Sequence, residues 1–165
     1  MSKAVFIDRD GVINNDSGHY YIFKPNDFIL NECIIENICS LKAAGYLIII
    51  ISNQGGIGKG LYSKQDTEVL HEILSKEIKK RGYSLDEIYF CPHHPDTGNC
   101  LCRKPLTLLL EKAIARFKIN ITHSFLIGDS PRDIEAAKGV GVKGILVQKN
   151  TNIENVCNGI IEGKI

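Results

Sequence analysis

Apolar residues along this chain follow two alternating rhythms. Short apolar runs read as strands: Val5-Phe6-Ile7, buried; Leu47 to Ile51, buried on both faces; and Ile88-Tyr89-Phe90, Ser124 to Ile127 and Gly144 to Val147. Between them the spacing turns helical. Cys33, Ile34, Ile38 and Leu41 predict a helix over about 31 to 44, stopped by Gly45. A second helix is expected over Lys64 to Lys80, closing at Arg81-Gly82. A third is expected just past Pro105, which suits a first-turn position, and a short one over Ile134 to Lys138. Asn14 to Tyr21 is polar and irregular, and with Lys24-Pro25 it predicts a loop or small flap over the end of the first strand. The tail beyond Asn150 is weakly patterned. Repeated β-α alternation predicts an α/β fold, a parallel sheet with helices on both faces, in a single domain over residues 1–165.

Composition narrows the partners. A formal net charge of +1 gives no electrostatic case for nucleic acid or an anionic membrane. No stretch is apolar for long enough to span a bilayer, and Met1-Ser2-Lys3 runs directly into the first strand, without a signal-peptide pattern. A cytoplasmic monomer is expected. Among the six cysteines, Cys91, Cys100 and Cys102 crowd beside His93 and His94, which suggests metal rather than disulfides. Cys33 and Cys39 are expected to be inert core thiols.

Polar groups recur where the strands end. Asp8 and Asp10 follow the first strand two residues apart, so both can face one pocket. Ser52-Asn53 follows the second strand, Arg103-Lys104 the Cys/His segment, and Asp129 with Asp133 the fourth strand. In a parallel sheet these ends converge on one edge, where ligand sites lie. Crowded carboxylates need a cation, and a hard, oxygen-seeking ion such as Mg²⁺ is the natural one. Each group has a task in phosphoryl transfer, where positioning and charge neutralisation dominate. A carboxylate can attack phosphorus and form an aspartyl-phosphate. Mg²⁺ shared by Asp8 and Asp129, with Lys104 opposite, would offset the repulsion between Asp8 and an anionic phosphate. Ser52 can bind phosphoryl oxygens, and Asp10 can act as general acid and then base.

Taken together, Asp8-x-Asp10-Gly11-Val12, strand-ending Ser52-Asn53, Lys104 and Gly128-Asp129-Ser130-x-x-Asp133 resemble the four motifs of the haloacid dehalogenase (HAD) superfamily. The likeness runs from about residue 4 to 148. It implies a Rossmann-like HAD fold and a Mg²⁺-dependent phosphohydrolase, with Asp8 as nucleophile and Asp10 as acid/base. It also implies Mg²⁺ on Asp8, the Asp10 backbone carbonyl and Asp129, with Asp133 behind them. The chain has no room for a large cap domain, so an open site is expected.

The segment from Cys91 to Pro105 adds a second metal. Cys91/His93 and Cys100/Cys102 are both i, i+2 pairs, and a loop folded back on itself would join them into one S₃N site suited to Zn²⁺. Symmetry between the pairs favours His93 over His94. This small zinc-binding loop, running into Arg103-Lys104-Pro105, resembles that of the D-glycero-D-manno-heptose 1,7-bisphosphate phosphatase family and of the related histidinol-phosphate phosphatases. Asn53-Gln54-x-Gly56-Ile57-x-x-Gly60 and Cys91-Pro92-His93-His94-Pro95 are more similar to the heptose branch.

That branch implies a phosphorylated sugar as substrate, losing its C7 phosphate. Its substrate-contact roles fall on Asp16, Ser17, Gly18 and His19 in the flap, on Ser52, Asn53, Gln54 and Gly55, and on Arg103 and Lys104. Ser130 stands where those enzymes often carry a Lys, which leaves the contact to a distal phosphate open. Gly55, Gly56, Gly58 and Gly60 read equally well as a turn without a ligand role. Histidinol-phosphate hydrolysis is the alternative within the family. A phospho-acceptor signalling domain is the rival from another class, disfavoured because a switch gains nothing from Asp10 speeding hydrolysis. A nucleic-acid 3′-phosphatase lacks the basic stripe it would need.

Overall fold

The computed structural model describes residues 1–165. In chain order the elements are β1 (Lys3–Ile7), a hairpin of β2 (Asn14–Asn15) and β3 (Ile29–Leu30), α1 (Ile34–Ala43), β4 (Tyr46–Asn53), the single turn α2 (Gly55–Gly58), α3 (Lys64–Lys80) and β5 (Glu87–Cys91). There follow α4 (Leu108–Phe117), β6 (Phe125–Gly128), α5 (Pro131–Gly139), β7 (Lys143–Leu146) and α6 (Glu154–Ile161). Five strands form one parallel sheet in the order β5-β4-β1-β6-β7. The fold is HAD-like, and the only insertion over the first strand's end is the small β2–β3 hairpin with its connecting loop, which forms no large cap.

Two-residue alternation along the central strands builds a core on each face. Val5, Ile7, Ile48 and Ile50 point to one side, against Leu41 of α1, Leu74 and Ile78 of α3, and Ile160 of α6. Ala4, Phe6, Ile49 and Ile51 point to the other, against Leu110 and Ala113 of α4 and Ala136 and Ala137 of α5. This explains why β1 and β4 carry unbroken apolar runs: neither face meets water. The five parallel strands therefore end together along one edge, β1 at Ile7, β4 at Asn53 and β6 at Gly128.

Several elements differ from the sequence expectation, each for a local reason. The helix expected just past Pro105 starts at Leu108, which leaves Pro105 outside its first turn. Asn53 holds the Lys104 backbone at both its N–H and its carbonyl (3.0 Å each), which keeps this stretch out of a helix. α5 begins at Pro131, three residues before the expected Ile134, because Ser130 and Asp133 form a capping box ahead of it. The weakly patterned tail forms α6, whose Cys157 and Ile160 are buried against α1. Cys33 and Cys39 are not core thiols: both are half-buried, and Cys33 caps α1 with a left-handed backbone (φ 56°). The buried thiols are Cys91 and Cys157.

No helix is long and apolar enough to cross a membrane. α3 keeps its expected limits, with Ser63 Oγ accepting from the Asp66 N–H and Asp66 Oδ2 accepting from the Ser63 N–H.

The junction of β6 and α5 leaves space for hydrogen only. A Cβ on Gly128 would stand 2.3 Å from the Asp133 Cβ, so Gly128→Ala must push the capped start of α5 off the sheet. Overpacking of this kind costs about 1–3 kcal/mol. Urea unfolding of Gly128→Ala should show that loss with an unchanged m-value, and a change below about 0.5 kcal/mol would mean that α5 yields without cost.

Candidate active site

The strand ends frame an open cavity of about 240 Å³. β1 delivers Asp8 and Asp10, β4 delivers Ser52 and Asn53, and β6 delivers Asp129 and Ser130. Lys104 enters from the loop after β5, and Asp133 from the first turn of α5. Carboxylate oxygens of Asp8, Asp129 and Asp133 all lie within 4.8 Å of one another. One buried ammonium serves them: Lys104 Nζ is 2.7 Å from Asp8 Oδ1, 2.6 Å from Asp133 Oδ1 and donates to the Ile51 carbonyl at 2.7 Å.

The charges register this crowding. Burial raises the Asp8 pKa to about 7, with Lys104 pulling it down and Asp133 and Asp129 adding to the rise. Burial, and then Asp133, also raises Asp129. Burial works against the Lys104 ammonium, yet Asp8 and Asp133 hold its pKa above the ordinary lysine value. Three carboxylates crowded in this way suit a hard divalent cation among their oxygens. Access to that spot depends on Gly11. Its φ is 89°, and a Cβ there would stand 2.5 Å from Asp129 Oδ2.

Asp10 occupies a cage of donors. Arg9, Asn14 and Gln54 side chains donate to its two oxygens at 2.9–3.1 Å. Its side chain stays 27% exposed, toward the cavity. Ser52 Oγ accepts from Gln54 Nε2 at 2.6 Å, which leaves the hydroxyl proton free to donate.

The expected site residues do not all reach the cavity. Asp16, His19, Asn53, Gly55, Arg103 and Ser130 line it, with Tyr20 and Tyr21 beside the flap histidine. Ser17 and Gly18 stand exposed outside it. Gln54 is 1% exposed and faces Asp10, Arg9 and Tyr62 rather than the cavity. Three of the four glycines in the run are closely packed. A Cβ on Gly56 would meet the Tyr62 ring at 2.1 Å, one on Gly58 the His94 N–H at 2.8 Å, and one on Gly55 the Arg103 guanidinium at 3.0 Å.

Sequence reasoning passed over Arg9, Arg132 and Lys149. Arg132 and Lys149 line the cavity, so cationic side chains stand near Ser130 although Ser130 itself has no charge. Lys149 pairs with Asp16 at 2.7 Å, and Asn150 accepts from the Asp16 N–H and donates to Ser17 Oγ, clipping the flap to the segment after β7. Lys149 lies between the last expected strand and the tail, where no spacing marks it.

A second cluster lies alongside. Cys91 Sγ is 3.6 Å from Cys100 Sγ, 3.0 Å from Cys102 Sγ and 3.6 Å from His93 Nδ1, and His93 Nδ1 is 3.3 Å from Cys102 Sγ. These four atoms can hold a metal ion. His94 is turned elsewhere, accepting from the Asp96 N–H at 3.1 Å. Arg103 follows at once and donates to the His93 carbonyl at 3.2 Å, so the cluster and the cavity share a wall.

Known proteins are similar to this chain in sequence and in fold. A family profile described as HAD-hydrolase-like matches residues 101–157. D-glycero-beta-D-manno-heptose-1,7-bisphosphate 7-phosphatase of Photorhabdus laumondii is 39% identical over 170 residues, covering 96% of this chain and 89% of its own. The histidine biosynthesis bifunctional protein HisB of Legionella pneumophila is 35% identical over 98% of this chain, which spans 46% of that protein. Among solved structures, D,D-heptose 1,7-bisphosphate phosphatase from B. bronchiseptica, complexed with magnesium and phosphate, superposes with a TM-score of 0.89 at 27% identity. That match covers 98% of this chain and 99% of the other. With its fold, its strand-end acids and relatives alike over nearly their whole length, the chain belongs to the D-glycero-D-manno-heptose-1,7-bisphosphate 7-phosphatase family of the HAD superfamily.

Proposed function

We propose that this chain, with residues 1–165 acting as one unit, hydrolyses the C7 phosphate of D-glycero-D-manno-heptose 1,7-bisphosphate. The observation that carries this reading is Asp8 held by a buried lysine beside two further carboxylates, with Asp10 caged next to it and facing the same cavity. The relatives act on this sugar bisphosphate by name. Arg103, Arg132 and Lys149 around the cavity suit a substrate with a second phosphate.

Mg²⁺ fits the acidic side of the cavity, where Asp8, Asp129 and the Asp10 carbonyl would hold it; bound there, it supplies charge neutralisation for the phosphoryl oxygens. The chain's own groups do the rest. Lys104 fixes one Asp8 oxygen and leaves the other to attack phosphorus. Ser52 donates its hydroxyl proton to a phosphoryl oxygen. As the bond from Asp8 to phosphorus forms, the ester bond breaks and the leaving oxygen takes the Asp10 proton. Water then attacks phosphorus and gives a proton to Asp10, and the Asp8–phosphorus bond breaks to release phosphate.

We read the Cys/His cluster as a closed structural zinc site. Thiolates about 2.3 Å from a tetrahedral zinc stand roughly 3.8 Å apart; Cys91 and Cys100 at 3.6 Å are near that spacing, and Cys91 and Cys102 at 3.0 Å would open to reach it. Burial pushes the Cys91 thiol up, so without a metal its charged form is disfavoured. Three thiolates need a reducing compartment, which suits a cytoplasmic enzyme. Zinc–ligand bonds would offset the cost of ordering a loop whose only regular element is one 3₁₀ turn, Pro95–Thr97.

Cys100→Ser should lose one zinc per chain by elemental analysis. Turnover should fall about tenfold or more as Arg103 and Lys104 lose their support, with no gain from added Mg²⁺. Full activity in zinc-free protein would refute the structural role. For the reaction, purified protein should hydrolyse heptose 1,7-bisphosphate at C7 with a higher kcat/KM than histidinol phosphate. Asp8→Asn should lose about 10⁴-fold or more in kcat. A tenfold preference for histidinol phosphate would overturn the substrate, and substantial turnover by Asp8→Asn would overturn the chemistry.

A further inference from the structure

We infer that Arg9 is a positioning residue that sets the Asp10 carboxyl group against the substrate and ties it to the flap. The inference rests on the reading of Asp10 as acid and base. Arg9 is a wholly buried charged side chain, 0% exposed. Burying a guanidinium is unfavourable unless it is paired and hydrogen-bonded, and the partner here is Asp10. Nε reaches Asp10 Oδ1 at 3.1 Å, and Nη2 reaches Oδ1 and Oδ2 at 2.9 Å each.

The same Nη2 also lies 2.8 Å from the Ile22 carbonyl and 3.1 Å from Gln54 Oε1, so its two protons are shared among these acceptors. Ile22 lies in the hairpin loop that carries His19, Tyr20 and Tyr21 to the cavity. Gln54 stands where β4 passes into α2, and closes the ring by donating to Asp10 Oδ2 at 3.0 Å. Asn14, on β2, takes the remaining side of Oδ1 at 3.0 Å. One guanidinium thus joins the end of β1, the flap and the end of β4 at a single carboxylate. Both Asp10 oxygens are fixed in one plane, and what they leave free faces the cavity.

A lysine in this place would keep the charge but not the planar fork. Its ammonium could hold one oxygen of Asp10, and the carboxyl plane would be free to turn. Proton transfer to and from Asp10 would then suffer while Asp8 kept its attack. A merely structural arginine would, when altered, weaken both together.

Leaving-group dependence separates these cases. A primary alkyl phosphate needs the Asp10 proton on its leaving oxygen, whereas p-nitrophenyl phosphate releases nitrophenolate without it. For Arg9→Lys we expect kcat on the alkyl phosphate to fall about 100-fold with KM within about threefold. Nitrophenolate release in a single turnover, with enzyme in excess, should stay within about threefold of the native rate. Gln54→Met leaves the ion pair in place, and it should show the same split at a smaller size. That variant decides the matter if Arg9→Lys does not fold.

Equal losses on the two substrates, or no loss on either, would overturn the inference. Asp10→Asn, measured in parallel, tests the reading beneath it. If that variant slows nitrophenolate release as much as alkyl turnover, the acid/base assignment fails on its own account, whatever Arg9 does.

Discussion

Three carboxylates whose oxygens lie within 4.8 Å of one another repel strongly unless positive charge stands among them. At about 4 Å each unit pair costs on the order of 4 kcal/mol at an effective dielectric near 20. Lys104 is the chain's own answer, an ammonium 3% exposed that touches Asp8, Asp133 and the Ile51 carbonyl at once. Much of the architecture exists to bring it there. Asn53 at the end of β4 grips its backbone, and the Cys/His loop delivers it from the far side of β5. Gly11 and Gly128 keep Cβ atoms away from Asp129 and Asp133. Three carboxylates sharing one ammonium suit the site to a divalent cation.

The hairpin gives the second half of the arrangement. Without a large cap, the cavity is closed on one side only by the flap. That flap is held by short-range ties: Asn14 to Asp10, the Ile22 carbonyl to Arg9, and Asp16 to Lys149 and Asn150. The first two ties end on Asp10 or on its arginine, so they set the flap's position and the acid's orientation together. Cations from three separate segments, Arg103, Arg132 and Lys149, surround the opening. No one motif supplies them.

What the sequence makes legible follows from this division. Strands buried on both faces show as unbroken apolar runs, and the sheet, its order of polar strand ends and the pairing of Cys91/His93 with Cys100/Cys102 were readable from spacing. Features set by tertiary contact were not. Arg9 looks like a spacer between two acids, and only the fold turns it inward. Gln54 looks like part of a ligand loop, yet Tyr62 and Asp10 draw it into the interior. Lys149 carries no periodic signal, because its place depends on where β7 ends. α6 is a short helix whose burial against α1 outweighs weak local patterning.

At the centre of this account, Asp8 carries the phosphoryl group in a covalent intermediate. Rapid acid quenching of Asp10→Asn with p-nitrophenyl phosphate, whose leaving group needs no proton, followed by peptide mapping, tests this most directly. Trapping of phosphate on Asp8, approaching one per active chain, is the result expected. Phosphate on another residue, or bound phosphate absent while product still forms, would contradict it.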